Sequence, residues 1–265
     1  MSLRVRLLLA MTGRPIVGLI RWILAAAGMA AAVCLVGAQP ASWRAPVKAE
    51  FMRTMTQAGV SGLRAAMISG ALFGVAMVMQ ASYWLSVTGQ LDLVGRVLVL
   101  LLIREVAPVI MGLILVGRSA TAMMIDLSLM RRDGQVRMLA LQGIDPFRYL
   151  VMPRVVALAL SQFSLTIVFV VTALVLGHLF GYALGVSQRS LFAFLDTVLQ
   201  AMTATDFVIL PLKTLTIGFA LGIVSTLVVF DADARHLEVR ELITRGFFTA
   251  VLAVFLISGL MSVLL

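Results

Sequence analysis

The sequence predicts an all-α integral membrane protein with five transmembrane helices, an N-terminal interfacial or re-entrant helix and a short cytoplasmic helix. Hydrophobic residues make up 62% of the chain, well above the roughly 45–50% that is typical of soluble domains. Several apolar runs approach or exceed the roughly 20 residues that cross a bilayer as a helix. Arginines cluster in short segments beside these runs, as the positive-inside rule describes. The runs are too long, and alternate too little, for the strands of an outer-membrane barrel.

The remaining composition argues against several other classes of protein. The net charge is +9, but no basic stripe with interleaved aromatic residues indicates nucleic-acid binding. Cys34 is the only cysteine, so no disulfide can form within the chain. His178 and His236 lack companion ligands, which predicts no metal centre. No Ser-His-Asp grouping with readable spacing indicates covalent catalysis, and no cofactor is expected.

The two lysines indicate that the chain does not hold nucleotide itself. A P-loop needs a Gly-Lys step to bind phosphates, and neither Lys48 nor Lys213 follows a glycine. A process driven by ATP would therefore need a second chain that binds the nucleotide.

Residues 1–60 are predicted to form an N-terminal cytoplasmic and interfacial helical segment, ahead of a transmembrane domain at 61–265. Residues 16–38 are strongly apolar, but basic residues flank both ends, and the positive-inside rule places both flanks in the cytoplasm. An interfacial or re-entrant helix fits this pattern best, and a crossing helix is the alternative. A secretory signal is a third possibility, against which Arg21 inside the apolar run argues.

The first clear span is 65–85, in which Gly70 and Gly74 have the spacing that lets helix backbones approach closely. The simplest interpretation of these glycines is packing within one helix bundle. Tyr83 and Trp84 would end the span in an interfacial aromatic belt. The other spans are predicted within 93–120 and at 150–176, 207–230 and 246–265, with the N-terminus inside and the C-terminus outside.

A polar connection at 121–145 is predicted to lie in the cytoplasm. With its flanks it carries six arginines against three aspartates, which indicates the cytoplasmic side. Asp133 is a candidate N-cap for a short helix in this connection, and Gly143 would close that helix. Asp145 and Pro146 then suit the N-cap and the first helical position of the third span.

Three ionisable residues lie inside predicted spans: Arg104, Glu105 and Lys213. A charge at the bilayer centre costs at least ~2.5–3.5 kcal/mol on insertion scales, so such residues face protein or water and mark a pathway. One interpretation is an internal ion pair, in which Glu105 neutralises Lys213 or Arg104. The other is that one base meets an anionic lipid headgroup in a cavity at a dimer interface, because arginine holds phosphate bidentately. If Glu105 pairs with Lys213, Arg104 is the freer phosphate ligand.

A lipid pathway would also need an apolar wall for acyl chains. Methionine adapts to irregular ligands, and aromatic residues lie at the outer end of the first span. The candidate wall residues are Met77, Met79, Tyr83, Trp84 and Leu102.

Several short motifs occur in a recognisable order between residues 100 and 157. They are Leu102 to Val109 (LIREVAPV), Gly117-Arg118-Ser119, Leu129-Met130, Gln135, and Gly143 to Arg154, which begins GIDP and ends MPR. In this order and spacing they resemble the MlaE/YrbE permease family, whose matching text reads RE-x-x-P-V, A-G-R, G-x-M, E-Q, G-V-D-P and P-R. The layout agrees over 55–265. Each motif is weak alone, but the set is specific.

The resemblance implies a homodimeric permease that works with two copies of an ABC ATPase subunit and with a periplasmic MCE-type lipid-binding protein. The implied cargo is phospholipid or a similar hydrophobic lipid, moved between the bacterial inner membrane and the outer envelope. The segment 131–143 would be the coupling helix that contacts the ATPase. The candidate coupling residues are Arg131, Arg132, Asp133, Gly134, Gln135, Arg137, Leu139 and Asp145.

The chain departs from the family pattern on the predicted cytoplasmic side. Gly134 stands where the family has Glu before Gln, Ala140 replaces a later acid, and Asp126 replaces a Glu. Residues 231–238 replace a glycine-rich loop. One hypothesis is a partner ATPase with a co-adapted, less basic docking surface, and the alternative is a drifted paralogue.

The sequence therefore predicts the permease subunit of a lipid-transporting ABC system, and not an enzyme. An ATP-independent secondary carrier is the alternative. Inverted repeats and several intramembrane acids would favour a carrier, whereas the sequence shows one such acid and no clear repeat. A membrane scaffold without cargo would tolerate neutral substitutions at Arg104, Glu105 and Lys213.

Overall fold

The structure, a computed structural model, describes residues 3–90, 93–185, 190–231 and 238–264, with side chains from residue 17 onward except residue 19. His236 and most of the altered loop at 231–238 lie outside the described residues. The described chain forms eight helical segments and a short 3-10 turn at Pro40–Ser42. The helices are α1 (Leu3–Gly37), α2 (Ala45–Val87), α3 (Val94–Arg132), α4 (Gln135–Leu141), α5 (Phe147–Ala183), α6 (Leu191–Ala201), α7 (Asp206–Phe230) and α8 (Val239–Leu264).

Six of these helices are long and apolar enough to cross a membrane, and the protein is an all-α integral membrane protein as predicted. Five of them, α2, α3, α5, α7 and α8, contain the predicted spans. The sixth, α1, is one uninterrupted helix whose window Ile20–Gly37 has the hydropathy of a span. It does not turn back within 3–37 as a re-entrant segment would, and only 6% of that window is buried.

The helices extend further than the hydropathy pattern predicted. α2 begins at Ala45, 20 residues before the predicted span at 65–85, and the predicted domain boundary at residue 60 falls inside α2. α3 likewise continues to Arg132. Both helices contain π-helical turns, at Thr56–Val60 in α2 and at Val99–Val106 and Val116–Ala120 in α3. π-turns are frequent at functional sites, and the turn at Val99–Val106 carries Arg104 and Glu105.

Glycines allow the close packing of α2 against α5. A Cβ atom added to Gly74 would lie 2.2 Å from the carbonyl oxygen of Ala173, and one added to Gly177 would lie 2.5 Å from the carbonyl oxygen of Gly74. The predicted small-residue spacing in the first span therefore serves packing within the bundle. α7 packs on the other side of α5 in the same way, since a Cβ on Gly218 would lie 2.7 Å from Ala159.

The connection between α3 and α5 places α4 at one end of the bundle, which we term the α4 end. The predicted role of Asp133 was wrong: Asp133 follows the last residue of α3, and Gly134, with φ of 75°, makes the turn into α4. Only glycine adopts that φ without strain. Gly143, with φ of 76°, closes α4 as predicted. Asp145 caps α5 as predicted, because its carboxylate accepts a hydrogen bond from the N–H of Phe147 at 3.0 Å.

Candidate functional site: a charged cluster joining α3, α7 and α8

Lys213 on α7 lies at the centre of a charged cluster between three long helices. Its Nζ donates hydrogen bonds to Oε2 of Glu105 at 3.0 Å, to the carbonyl oxygen of Arg104 at 2.9 Å and to Oγ of Ser262 at 2.9 Å. These three bonds use all three ammonium protons. Ser262 on α8 in turn lies 2.8 Å from both carboxylate oxygens of Glu105. The cluster therefore ties α3, α7 and α8 together through polar contacts.

Arg104 belongs to the same cluster but has a carboxylate partner of its own. Its Nε donates a hydrogen bond to Oδ1 of Asp206 in the first turn of α7. Oδ2 of Asp206 accepts hydrogen bonds from the backbone N–H and the hydroxyl of Thr203, each at 2.8 Å. Asp206 is 1% exposed, and these partners offset the cost of burying its charge.

The pair between Glu105 and Lys213 forms as one of the two sequence interpretations expected. The accompanying expectation that Arg104 would be the freer base needs correction, because Asp206 neutralises it. The predicted span began at residue 207 and so left Asp206 just outside it. A usable signal was present: Thr203 and Asp206 have the [ST]-x-x-[DE] spacing of a capping box directly before an apolar run.

An apolar cavity of about 550 Å³ lies between α2 and α3. Of the five predicted wall residues, Met77 and Trp84 line it, whereas Met79 and Tyr83 do not. Leu102 is 0% exposed and packs in the bundle core, so in this structure it cannot face a lipid. The other lining residues are Ala76, Gln80, Ala81, Leu85, Val97, Leu98 and Leu101. Leu101 precedes Arg104 by less than one helical turn, so the cavity and the charged cluster lie close together along α3.

The predicted coupling residues lie on α4 and next to it, but they differ in burial and in the contacts that they make. Arg131 donates a hydrogen bond to the carbonyl oxygen of Val229 and so ties the end of α3 to the end of α7. Leu139 is half-buried and packs against the bundle core together with Val136. The exposed members of the set are Arg132, Asp133, Gln135, Arg137 and Asp145, and Gly134 is half-buried in the turn. Two further apolar residues that sequence analysis did not select, Met138 and Leu141, are exposed on α4.

A second buried ion pair escaped sequence analysis. Arg154 on α5 contacts Oε1 of Glu50 on α2 through Nη2 at 2.6 Å and through Nε at 2.7 Å. Arg154 belongs to one of the short motifs, whereas Glu50 lies in the segment 1–60, which was predicted to be cytoplasmic and interfacial. No local pattern indicates this partner, because the two residues are 104 positions apart.

A comparison with protein families matches residues 51–264 to the family model described as Permease MlaE. The chain belongs to the MlaE permease family. A probable ABC transporter permease of Rickettsia typhi is 28% identical over 176 residues, which are 66% of this chain and 67% of that protein. The intermembrane phospholipid transport system permease MlaE of Haemophilus influenzae is 28% identical over 131 residues, or 49% of this chain and 50% of that protein. The chloroplastic protein TRIGALACTOSYLDIACYLGLYCEROL 1 of Arabidopsis thaliana is 26% identical over 175 residues, or 66% of this chain and 49% of that protein.

Membership in the MlaE family and the six apolar helices together define the general role of the chain. It is a multi-pass protein of the bacterial inner membrane. It is a permease of a lipid-transport family.

Proposed function

We propose that this chain is the membrane subunit of an ABC transporter that moves phospholipid, or a similar hydrophobic lipid, between the inner membrane and the outer envelope. The observation that carries the proposal is the junction of the apolar cavity and the charged cluster at Leu101 and Arg104. An amphiphile with acyl chains and a charged headgroup needs these two surfaces side by side. The name of the Haemophilus influenzae relative, which specifies intermembrane phospholipid transport, supports the choice of lipid.

The headgroup would be held by the accessible part of the cluster. The side chain of Arg104 is 27% exposed, and only its Nε bonds to Asp206. Its two terminal nitrogens have no hydrogen-bond partner within the described ranges, and such a pair of donors matches two oxygens of a phosphate. Asp206 and Lys213 would hold the guanidinium and the neighbouring backbone in place.

ATP hydrolysis on a partner chain would reach the permease through α4. The exposed side chains of Met138 and Leu141 form an apolar surface at the α4 end, beside exposed polar residues such as Arg137. An apolar centre with a polar rim is typical of protein interfaces. Arg131, bound to the end of α7, would transmit a movement of α4 to the helix that carries Lys213.

We also propose, from the family resemblance, that two copies of the chain pair in the complex and that a periplasmic MCE-type protein exchanges lipid with them. The pairing would enclose the cavity between α2 and α3, which is open to the surroundings in a single chain.

The decisive experiment is an affinity purification of the tagged chain in mild detergent, with identification of the bound proteins and lipids by mass spectrometry. Recovery of an ABC ATPase in equal amount, together with phospholipid, is the expected result. A chain that stays alone after gentle extraction, with no ATPase and no lipid, would contradict the proposal.

One structural observation favours the alternative of an ATP-independent carrier. The cluster contains two carboxylates, Glu105 and Asp206, whereas sequence analysis had placed only one inside the spans. Protonatable acids in a membrane site are typical of coupled carriers. Lipid transfer by the purified chain in proteoliposomes that lack any ATPase, driven by a proton gradient, would support this alternative.

A further inference from the structure

A second cavity of about 250 Å³ lies between α2, α3 and α5, and its lining mixes polar and charged residues with apolar ones. Its charged lining residues are Arg118, Asp126 and Arg154, and Gln57 and Ser119 also line it. Arg118 follows Arg104 along α3 by about 20 Å, at 1.5 Å of helix per residue. The cavity is therefore separate from the charged cluster and lies nearer to the α4 end.

Two of the three charged residues in this cavity have no ionic partner. Arg154 is neutralised by Glu50, as described above. Within the described residues, neither Arg118, which is exposed, nor Asp126, which is half-buried, forms an ion pair or a side-chain hydrogen bond. Both lie toward the polar end of α3, where charged side chains meet water or lipid headgroups. An unpaired base and an unpaired acid that line one cavity suit an occupant that carries both charges.

The spacing of the two charges suits an extended occupant. Arg118 and Asp126 are eight residues apart on α3, which is about two turns or 12 Å between their backbones. They are not within ion-pair distance of each other, so a ligand can contact one at each end. The hydroxyl of Ser119 is buried and has no hydrogen-bond partner in the described part of the chain, and a polar occupant would supply one.

The surroundings of the cavity indicate that the occupant is a lipid and not a free ion. Each of the three helices exposes a large apolar residue close in sequence to the lining residues: Val60 on α2, Ile125 on α3 and Leu160 on α5. Acyl chains can lie along these side chains while the headgroup enters the cavity. A free phosphate ion would gain nothing from them, and a lipid with a second negative charge would be repelled by Asp126.

We propose that this cavity binds the headgroup of a zwitterionic phospholipid, with the phosphate on Arg118 and the ammonium group on Asp126. The site is distinct from the transport pathway proposed above and does not depend on it. A lipid held there would fill the gap between α2, α3 and α5 at the end of the bundle that α4 occupies.

The test measures the binding of dihexanoyl phosphatidylethanolamine and dihexanoyl phosphatidylglycerol to the purified full chain in detergent, without ATP. Binding is measured in the natural chain and in a chain that carries Arg104→Gln. The comparison separates lipid bound in this cavity from lipid bound at the charged cluster. We expect tighter binding of the ethanolamine lipid. Arg118→Gln should weaken the binding of both lipids at least fivefold, whereas Asp126→Asn should weaken only that of the ethanolamine lipid. Arg148→Gln and Asp196→Asn remove exposed charges elsewhere and should change neither affinity.

Three results would overturn the assignment. The first is equal affinity for the two lipids in the natural chain. The second is unchanged binding by Arg118→Gln when its elution profile and unfolding temperature are normal. If that variant does not fold, Arg118→Met, which also removes the charge but keeps an apolar side chain of similar length, is measured in the same way. The third is competition by inorganic phosphate at the same concentration as the lipid, which would identify a free-phosphate site. None of these results depends on transport activity.

Discussion

Glu105 and Lys213 form an ion pair of 3.0 Å whose two members have very different exposure. The side chain of Lys213 is 2% exposed, whereas that of Glu105 is 43% exposed. This pair therefore joins a buried base to a partly exposed acid, and we expect the loss of each residue to change the stability of the protein by a different amount.

We expect Glu105→Leu to destabilise the protein more than Lys213→Met. Removal of the acid leaves a buried ammonium without its counter-charge, which costs about 3 kcal/mol or more. Removal of the base leaves a carboxylate that is only partly buried and still accepts a hydrogen bond from Ser262. Thermal unfolding in one detergent would compare the two variants. The double variant should lose less stability than the sum of the single ones, and strict additivity would contradict the pairing.

Replacement of Arg104 by lysine should lower lipid transport in reconstituted vesicles by about tenfold, which corresponds to roughly 1.4 kcal/mol. Lysine keeps the charge beside Asp206, but it lacks the two parallel donors that match a phosphate. Arg148→Lys, at an exposed residue near the start of α5, is the matched control. Full transport by Arg104→Lys would show that Arg104 serves only to pair with Asp206.

Leu141→Asp should reduce the amount of ATPase that co-purifies with the chain, without a change in its thermal stability. The substitution places a charge in the exposed apolar surface of α4, where it would be desolvated at an interface. Leu184→Asp is the matched control and should retain the ATPase. Leu184 follows the last residue of α5, at the end opposite to α4, and is similarly exposed. If both variants retain the ATPase equally, coupling does not pass through this surface.

Gly74→Ala should lower the unfolding temperature, because the added methyl group would lie 2.2 Å from the backbone of α5. The two helices would have to separate, and the closely packed interface would lose contacts. Gly28→Ala in α1 has open space around it and should be neutral or slightly stabilising, since alanine favours helix over glycine. An equal effect of the two substitutions would contradict the packing.

The residues in the turns around α4 show which local features can be predicted from sequence alone. Gly143 and Asp145 were assigned correctly, because a left-handed glycine and an N-cap depend on chemistry within a few residues. Asp133 was assigned to the wrong helix. The polar character of 121–132 suggested a loop, whereas the segment continues α3 with Met124 and Leu127 buried against the bundle.

The sequence by itself determined the membrane class, the approximate positions of five long helices and the family. Hydropathy and motif order are properties of consecutive residues, so no tertiary information is needed for them. Only the tertiary structure decided that Asp206 neutralises Arg104, that Leu102 faces the core and that Glu50 meets Arg154. Those outcomes depend on the register and rotation of helices about 100 residues apart in the chain. Packing sets this register between the helices, and no single segment encodes it.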